Sequence, residues 1–390
     1  MRIGIDATCW HNKRGYGRHA RALLTALANS SGEDHLVFFM DSREDTGDVP
    51  PAAEIRLVPS RSPAACSASA SGHRTLGDMW RMSRAMADGS LDLLLFPTIY
   101  SFVPVFSPAR KLVFIHDVIA EEYPEWALGH PLAQLLWEVK TALGRLQADA
   151  VVTVSEFSRD KIVQRFGIPR DQVFVVGEAA DETFAPIAAP EPTALLRARG
   201  INSSDRIVAY VGGFGPHKNI RSLLNAFGQM SRHPNLAGTK LVLAGEHENE
   251  VFHSEITGIQ EEIRKLDLAG RVVFTGFLPD GDLAVLLNLA LVLVLPSFME
   301  GFGLPAIEAA ACGCPVIATR NSPLPELLGA GGIYIDPRHP EQLERALLDV
   351  LRSENSRAEM ATNAVVAAGK LKWTNAACQL RCAMRAMIES

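Results

Sequence analysis

Short apolar runs alternate with longer stretches whose apolar residues recur at helical spacing, and the chain shows this rhythm twice. In the first half the runs are Ile3–Ile5, Leu36–Met40, Leu91–Phe96, Leu112–Ile115 and Val151–Val154. Helical patterns such as Arg18–Ala28 and Leu132–Leu146 lie between them. Continuous apolar runs suit strands buried on both faces, as in parallel sheets with helical crossovers. The rhythm pauses over residues 178–205, where Pro186, Pro190, Pro192, Gly200 and Ser203-Ser204 read as a connection. It restarts with Ile207–Val211, Leu241–Ala244, Val272–Thr275, Leu291–Leu295 and Val316–Ala318. The predicted class is α/β, with two Rossmann-like, doubly wound parallel-sheet domains facing across a cleft. Their expected extents are 1–180 and 181–370. The last helical stretch, Trp373–Ile388 within 371–390, has the first domain as a candidate packing partner. Ser60–Gly72 is rich in Ser and Ala without periodicity and reads as a mobile loop.

Length and composition agree with this picture. A chain of 390 residues, 47% hydrophobic and 21% charged, has material for two packed cores. Its net charge of −6 excludes a dedicated nucleic-acid binder, which would be basic. A local basic patch remains, because Arg2, Lys13, Arg14, Arg18 and Arg21 face only Asp6 in the first thirty residues. The six cysteines, at 9, 66, 312, 314, 378 and 382, form no C-x-x-C pair and read as small buried hydrophobes of a reducing cytosol. The opening Met-Arg-Ile-Gly-Ile-Asp reads as a strand rather than a leader. The longest apolar run, Leu289–Leu295, falls far short of the roughly 20 residues a spanning helix needs. The expected protein is soluble and cytoplasmic.

Four motifs fall just after predicted strands, where ligands of such sheets bind. Val211-Gly212-Gly213-Phe214-Gly215-Pro216-His217-Lys218-Asn219 precedes a helix over 220–231. Its glycines permit close backbone approach, and Lys218 is a charge suited to phosphate. Glu300-Gly301-Phe302-Gly303-Leu304-Pro305-Ala306-Ile307-Glu308 places Pro305 in a first helical turn, with the amides of Gly301 to Leu304 at the helix start. Carboxylates flanking such amides suit a ligand that combines hydroxyls with phosphate. His116-Asp117 ends a strand and could exchange protons near neutral pH. Gly15-Tyr16-Gly17-Arg18 again joins glycines to a basic residue. Asp280-Gly281-Asp282 has the spacing of a metal-holding D-x-D pair. It follows Pro279 and precedes the helical run Leu283–Leu289, so helix N-capping explains it better.

Together these motifs resemble the retaining nucleotide-sugar glycosyltransferases of family 4, which have the two-domain GT-B fold. The resemblance spans nearly the whole chain. It is densest from Tyr210 to Pro337, and its most specific element is the E-x7-E pair Glu300…Glu308. Pro216-His217-Lys218-Asn219, His116-Asp117, Val154-Ser155-Glu156-Phe157-Ser158 and Leu278-Pro279 support it. The resemblance implies catalytic roles for His116, near the reacting carbon, and for Glu300, on the donor-sugar hydroxyls. It implies donor binding by Gly15, Gly17, Gly212, Gly213, His217, Lys218, Gly301, Phe302, Gly303, Leu304 and Glu308, with Glu308 on the ribose. Tyr16 and Arg18 are candidates for the acceptor side. No metal and no cofactor are implied, since basic groups and helix ends take the metal's electrostatic role. One departure from the family is His217, where an arginine is common.

Within the family the chain looks most like bacterial mannosyl- and rhamnosyltransferases of surface-polysaccharide assembly. The expected reaction moves a hexose, such as mannose from GDP-mannose, to a glycan or lipid-linked saccharide acceptor. Peripheral contact at the inner face of the cytoplasmic membrane is compatible with the basic N-terminal segment. The alternatives are a nucleotide-sugar epimerase or other GT-B enzyme, and a non-catalytic nucleotide-sugar binder. A nicotinamide oxidoreductase lacks its G-x-G-x-x-G after the first strand, and a phosphorylase lacks a candidate pyridoxal lysine.

Overall fold

Strands whose residues are apolar on both faces occupy the middle of two parallel sheets. The computed structural model describes the chain apart from residues 13, 31, 62–74, 129, 231, 247–254 and 390. Most of the Ser60–Gly72 segment, with Cys66, lies outside the described residues. The rest forms two units, Met1–Glu178 with Lys372–Ser390, and Ala179–Leu371.

In the first unit the strands are β1 (Arg2–Asp6), β2 (His35–Asp41), β3 (Glu54–Val58), β4 (Leu93–Phe96), β5 (Arg110–Phe114), β6 (Ala150–Thr153) and β7 (Val173–Val175). They pair in the order β3-β2-β1-β4-β5-β6-β7, all parallel. Ile3, Ile5 and all four residues of β4 are fully buried. The helix Trp373–Glu389 belongs to this unit: Ala376, Ala377, Leu380, Met384 and Met387 join the cluster that holds Ile3, Ile5 and Leu23. Polar contacts fix its register, with Gly177 N donating to Gln379 Oε1 at 3.0 Å and Arg381 Nε to Asp34 Oδ2 at 3.1 Å. Val154–Ser158 turns out to be a helix start, where Ser155 Oγ accepts the Ser158 amide at 3.0 Å.

The second unit has β8 (Arg206–Val211), β9 (Thr239–Ala244), β10 (Val272–Gly276), β11 (Ala290–Leu295), β12 (Val316–Thr319) and β13 (Gly332–Ile335). Their order is β10-β9-β8-β11-β12-β13, again all parallel. Each sheet reverses direction of growth once, at β1/β4 and at β8/β11. The crevice outside the carboxyl ends of those strands is where a doubly wound sheet takes ligand.

Two expectations need correction. Cys9, Cys312 and Cys314 are buried, but Cys378 and Cys382 are exposed on the outer face of the Trp373–Glu389 helix. Asp280 and Asp282 are not N-caps: the cap is Pro279, and both acids lie within the first turn of Asp280–Leu289. There they face the positive helix end, and Asp282 Oδ1 accepts the Thr193 hydroxyl. Among the described residues, no helix is long and apolar enough to cross a membrane.

Candidate functional site

The second unit brings its two glycine-rich motifs together because β8 and β11 are sheet neighbours, although Lys218 and Glu300 are 82 positions apart. The loop after β8 is pinned by close approach. A Cβ on Gly245 would stand 2.0 Å from Gly212 O, so only glycine fits between these strand ends. Gly212 N donates to Ala244 O at 2.9 Å, and the Tyr210 hydroxyl donates to Gly213 O. The loop then crosses to β11: Phe298 N donates to His217 O at 2.9 Å, and Asn219 Nδ2 to Pro296 O at 3.0 Å. A third loop, after β12, closes the group, with Glu300 N on Asn321 O at 3.2 Å and Asn321 Nδ2 on Phe298 O at 2.7 Å.

This frame presents an ion pair. Lys218 Nζ lies 2.8 Å from Glu300 Oε1, and the same oxygen accepts the Ser297 hydroxyl at 2.6 Å. The Glu300 side chain is 11% exposed and that of Lys218 21%. The charges are therefore partly desolvated yet reachable, where electrostatics act more strongly than in water. Burial first, and then the charge of Lys218, push His217 down to about 3. It is neutral at pH 7 and can add a hydrogen bond beside Lys218, not a charge. Gly301, Phe302, Gly303 and Leu304 lead into the helix Leu304–Ala311 and are all buried. Gly303 caps it at φ +87°, a conformation that favours glycine. Glu308 sits one turn in and is 1% exposed, so it is not a solvated surface acid.

The first unit holds the other expected residues. Gly15 starts the helix Gly15–Asn29 and is exposed; among the described residues nothing beyond its chain neighbours lies within 4 Å of a Cβ added there. Gly17 is buried, and a Cβ there would stand 2.1 Å from Asn12 O. Tyr16 turns inward: it stacks on Tyr100 at 4.9 Å between ring centroids, and its hydroxyl accepts from Asn12 Nδ2 at 2.7 Å. Arg18 is half-buried on the same helix. His116 follows β5, half-buried, with Nε2 3.1 Å from His19 Nδ1. Among the described residues, His19, His116 and Glu178 form a group of potential metal-ligand atoms within 4.8 Å of one another.

Sequence reading missed Asn321 and gave no role to Ser297 or Asn219, which organise the Lys218–Glu300 pair. A serine three places before Glu300 was the available signal. It also missed His19 and Glu178, for which no local signal exists, and Glu121. Together with Tyr100, His116 and Trp137, Glu121 lines a small cavity and accepts the Trp137 indole N–H at 2.9 Å. Burial raises Glu121 from 4.5 to about 7, and the neighbouring Asp117 charge acts in the same direction. The fold therefore favours its protonated form. That stability is complete below about pH 4.5 and is lost as pH rises through about 7. Glu121→Gln is expected to be more stable than the parent by on the order of 2 kcal/mol at pH 8 and equal to it at pH 4. Melting temperatures of both proteins at the two pH values check this; an equal difference at both would refute it.

Residues 193–365 match the family model described as glycosyl transferases group 1, and residues 13–184 match glycosyltransferase family 4. The two stretches fall essentially one on each unit. The O-antigen chain mannosyltransferase B of Escherichia coli is 29% identical over 273 residues, covering 69% of this chain and 68% of that protein. The serotype-specific mannosyltransferase WbdA of Escherichia coli is 24% identical over 97% of this chain but 47% of its own length. The chain thus spans about half of that relative. Among solved structures, the sucrose-phosphate synthase of Thermosynechococcus elongatus superposes with a TM-score of 0.77. It covers 100% of this chain and 99% of its own at 20% identity, which is likeness of fold.

Proposed function

Because the chain belongs to the GT-B glycosyltransferases of the group 1 and family 4 type, we propose that it transfers a hexose with retention of configuration, mannose from GDP-mannose foremost. The acceptor is a hydroxyl of a glycan or lipid-linked saccharide. The observation that carries this reading is the Lys218–Glu300–Ser297 group at the adjoining ends of β8 and β11. Glu300 accepts donor-sugar hydroxyls, and the Gly301–Leu304 segment at the helix start receives the distal phosphate. Lys218 has three N–H donors, so it can hold Glu300 and still neutralise charge growing on the leaving diphosphate. Glu308 takes the ribose hydroxyls, and Gly212 and Gly213 let the backbone lie close to the nucleotide. Gly15 and Gly17 border the phosphates, and His116 contacts the sugar near the reacting carbon. The leaving phosphate helps deprotonate the acceptor hydroxyl on the same face, which preserves configuration without a metal. Resemblance to two mannosyltransferases supports mannose as the sugar.

The reading extends to an acceptor met at the cytoplasmic face of a membrane. Leu132, Leu135, Leu136, Val139, Leu143 and Leu146 support that, being exposed along the helix Pro131–Gln147. Such an apolar stripe is unusual on a surface facing water alone.

A donor panel tests the proposal. GDP-mannose at about 100 times its Kd is expected to add about 2.7 kcal/mol of stability, read as a rise in melting temperature of several degrees. UDP-glucose, UDP-N-acetylglucosamine and a dTDP-sugar are expected to leave it within a degree or so. A shift with UDP-sugars only would overturn the donor assignment. Interconversion of free donor sugars without acceptor would replace transfer by epimerisation.

A further inference from the structure

His19, on the helix after β1, Glu178, which follows β7, and His116, which follows β5, meet in one compact group, with a ring nitrogen or carboxylate oxygen of each within 4.8 Å of the others. His116 Nε2 and His19 Nδ1 are 3.1 Å apart, with the rings edge to face at 84°. His19 Nε2 faces Glu178 Oε1 at 3.8 Å, a charge contact longer than a hydrogen bond. The His19 side chain is 1% exposed and that of Glu178 7%. Phe114 and Trp373 pack on the His19 ring at 5.3 and 5.7 Å between centroids and hold its orientation. The nearest nitrogens of the two histidines are partners in one hydrogen bond, so the protonation of one ring is linked to that of the other.

A neutral imidazole carries one N–H and one lone pair, so the state of one ring dictates the next. Burial holds both rings neutral: it keeps His19 well below 6.5, and it lowers His116 to about 4. Glu178 is an acceptor in a desolvated place, so it favours the His19 tautomer with its N–H at Nε2. The opposite tautomer would set a lone pair against the carboxylate. His19 Nδ1 is then an acceptor, which requires the N–H of His116 at Nε2. The lone pair of His116 is left at Nδ1, an atom that is buried without a hydrogen-bond partner among the described residues. A buried acceptor left unpaired carries a desolvation penalty, and folds keep one where something else supplies the donor.

We propose that Glu178 and His19 are positioning residues that make His116 Nδ1 a hydrogen-bond acceptor for a hydroxyl of the bound sugar. The proposal rests on the sugar-contacting role given to His116 above. Glu178→Gln tests it, because an amide of the same size can donate to His19 Nε2 and reverse every proton in the chain. With nitrogen-15 histidine labelling of the full chain, His116 Nδ1 is expected to be unprotonated in the parent and protonated in Glu178→Gln. kcat is expected to fall about 10- to 100-fold, the equivalent of one buried hydrogen bond, with the donor KM little changed. Glu178→Asp, which keeps the charge, restores the nitrogen signature and most of kcat. Should Glu178→Gln fold poorly, His19→Phe keeps the packed ring without its nitrogens, and the same loss of kcat is expected. A parental His116 already protonated at Nδ1, or an unchanged kcat in these variants, overturns the inference. His116→Ala separates the two readings. Wild-type transfer by that variant would remove the role of His116 in the proposed function, whereas the nitrogen signature decides the tautomer chain independently.

Discussion

Glu300→Gln is expected to lower kcat/KM for sugar transfer by about three orders of magnitude, a loss of about 4 kcal/mol of transition-state stabilisation. The substitution keeps the shape of the side chain and removes its charge. Glu300 Oε1 is held by the Ser297 hydroxyl and the Lys218 ammonium, so for the proposed reaction the carboxylate is oriented in advance. The amide oxygen of glutamine can accept from both partners but, being uncharged, cannot stabilise positive charge developing on the sugar ring. It also leaves Lys218 without its counter-charge. Because that lysine is 21% exposed, the stability cost is expected to stay at about 1 kcal/mol. Steady-state transfer assays beside thermal melts separate the two effects. A variant that stays folded and retains a tenth or more of the parental rate would show that the carboxylate acts elsewhere. Lys218→Ala serves as the comparison: it should weaken donor binding more than turnover, since in the proposed function its charge meets the diphosphate before and during reaction.

The second large effect is structural. Gly17→Ala is expected to destabilise the first unit by about 3 kcal/mol or more, because the new Cβ would stand 2.1 Å from the carbonyl oxygen of Asn12 and 2.8 Å from its carbon. The clash is with backbone, which cannot rotate away as a side chain would. Either the helix start or the loop after β1 must move, and both border the proposed phosphate position. All five tryptophans (Trp10, Trp80, Trp126, Trp137 and Trp373) lie in the first unit. Tryptophan fluorescence therefore follows this unit, and its melting midpoint should fall by roughly 6–12 °C. Gly15→Ala is the control, since among the described residues nothing beyond its chain neighbours lies within 4 Å of the added methyl and alanine favours the helix by up to about 1 kcal/mol. Equal melting of the two variants would refute the packing argument.

The strands that could be read from sequence are those buried on both faces. β1, β2, β4, β5, β6, β8, β9, β11 and β12 have continuous apolar runs because helices cover both sides of the sheet; β10, an edge strand that is only partly buried, was legible from its Val272-Val273-Phe274 run alone. The strands that escaped notice, β3, β7 and β13, are all sheet edges. β3, Glu54–Val58, mixes charged and apolar residues and is only partly buried. β7 is three residues long, and β13 opens on a glycine. An edge strand needs less apolar surface, so its pattern is weak.

The candidate site divides in the same way. Glu300, Glu308 and Lys218 stand in local motifs, because glycines, a proline at a helix start and an acid at fixed spacing answer to short-range geometry. By itself, then, the sequence determined the α/β class, the two sheets and the residues that carry charge to the strand ends. Only the tertiary structure decided which strand ends are neighbours. The order β9-β8-β11-β12 puts Lys218 against Glu300, and the packing of the helix after β1 against the segments after β5 and β7 brings His19, His116 and Glu178 together. The physical reason is that propensity and periodicity act over a few residues. Strand order and side-chain pairing depend on burial shared between segments many tens of positions apart, so they leave no local mark.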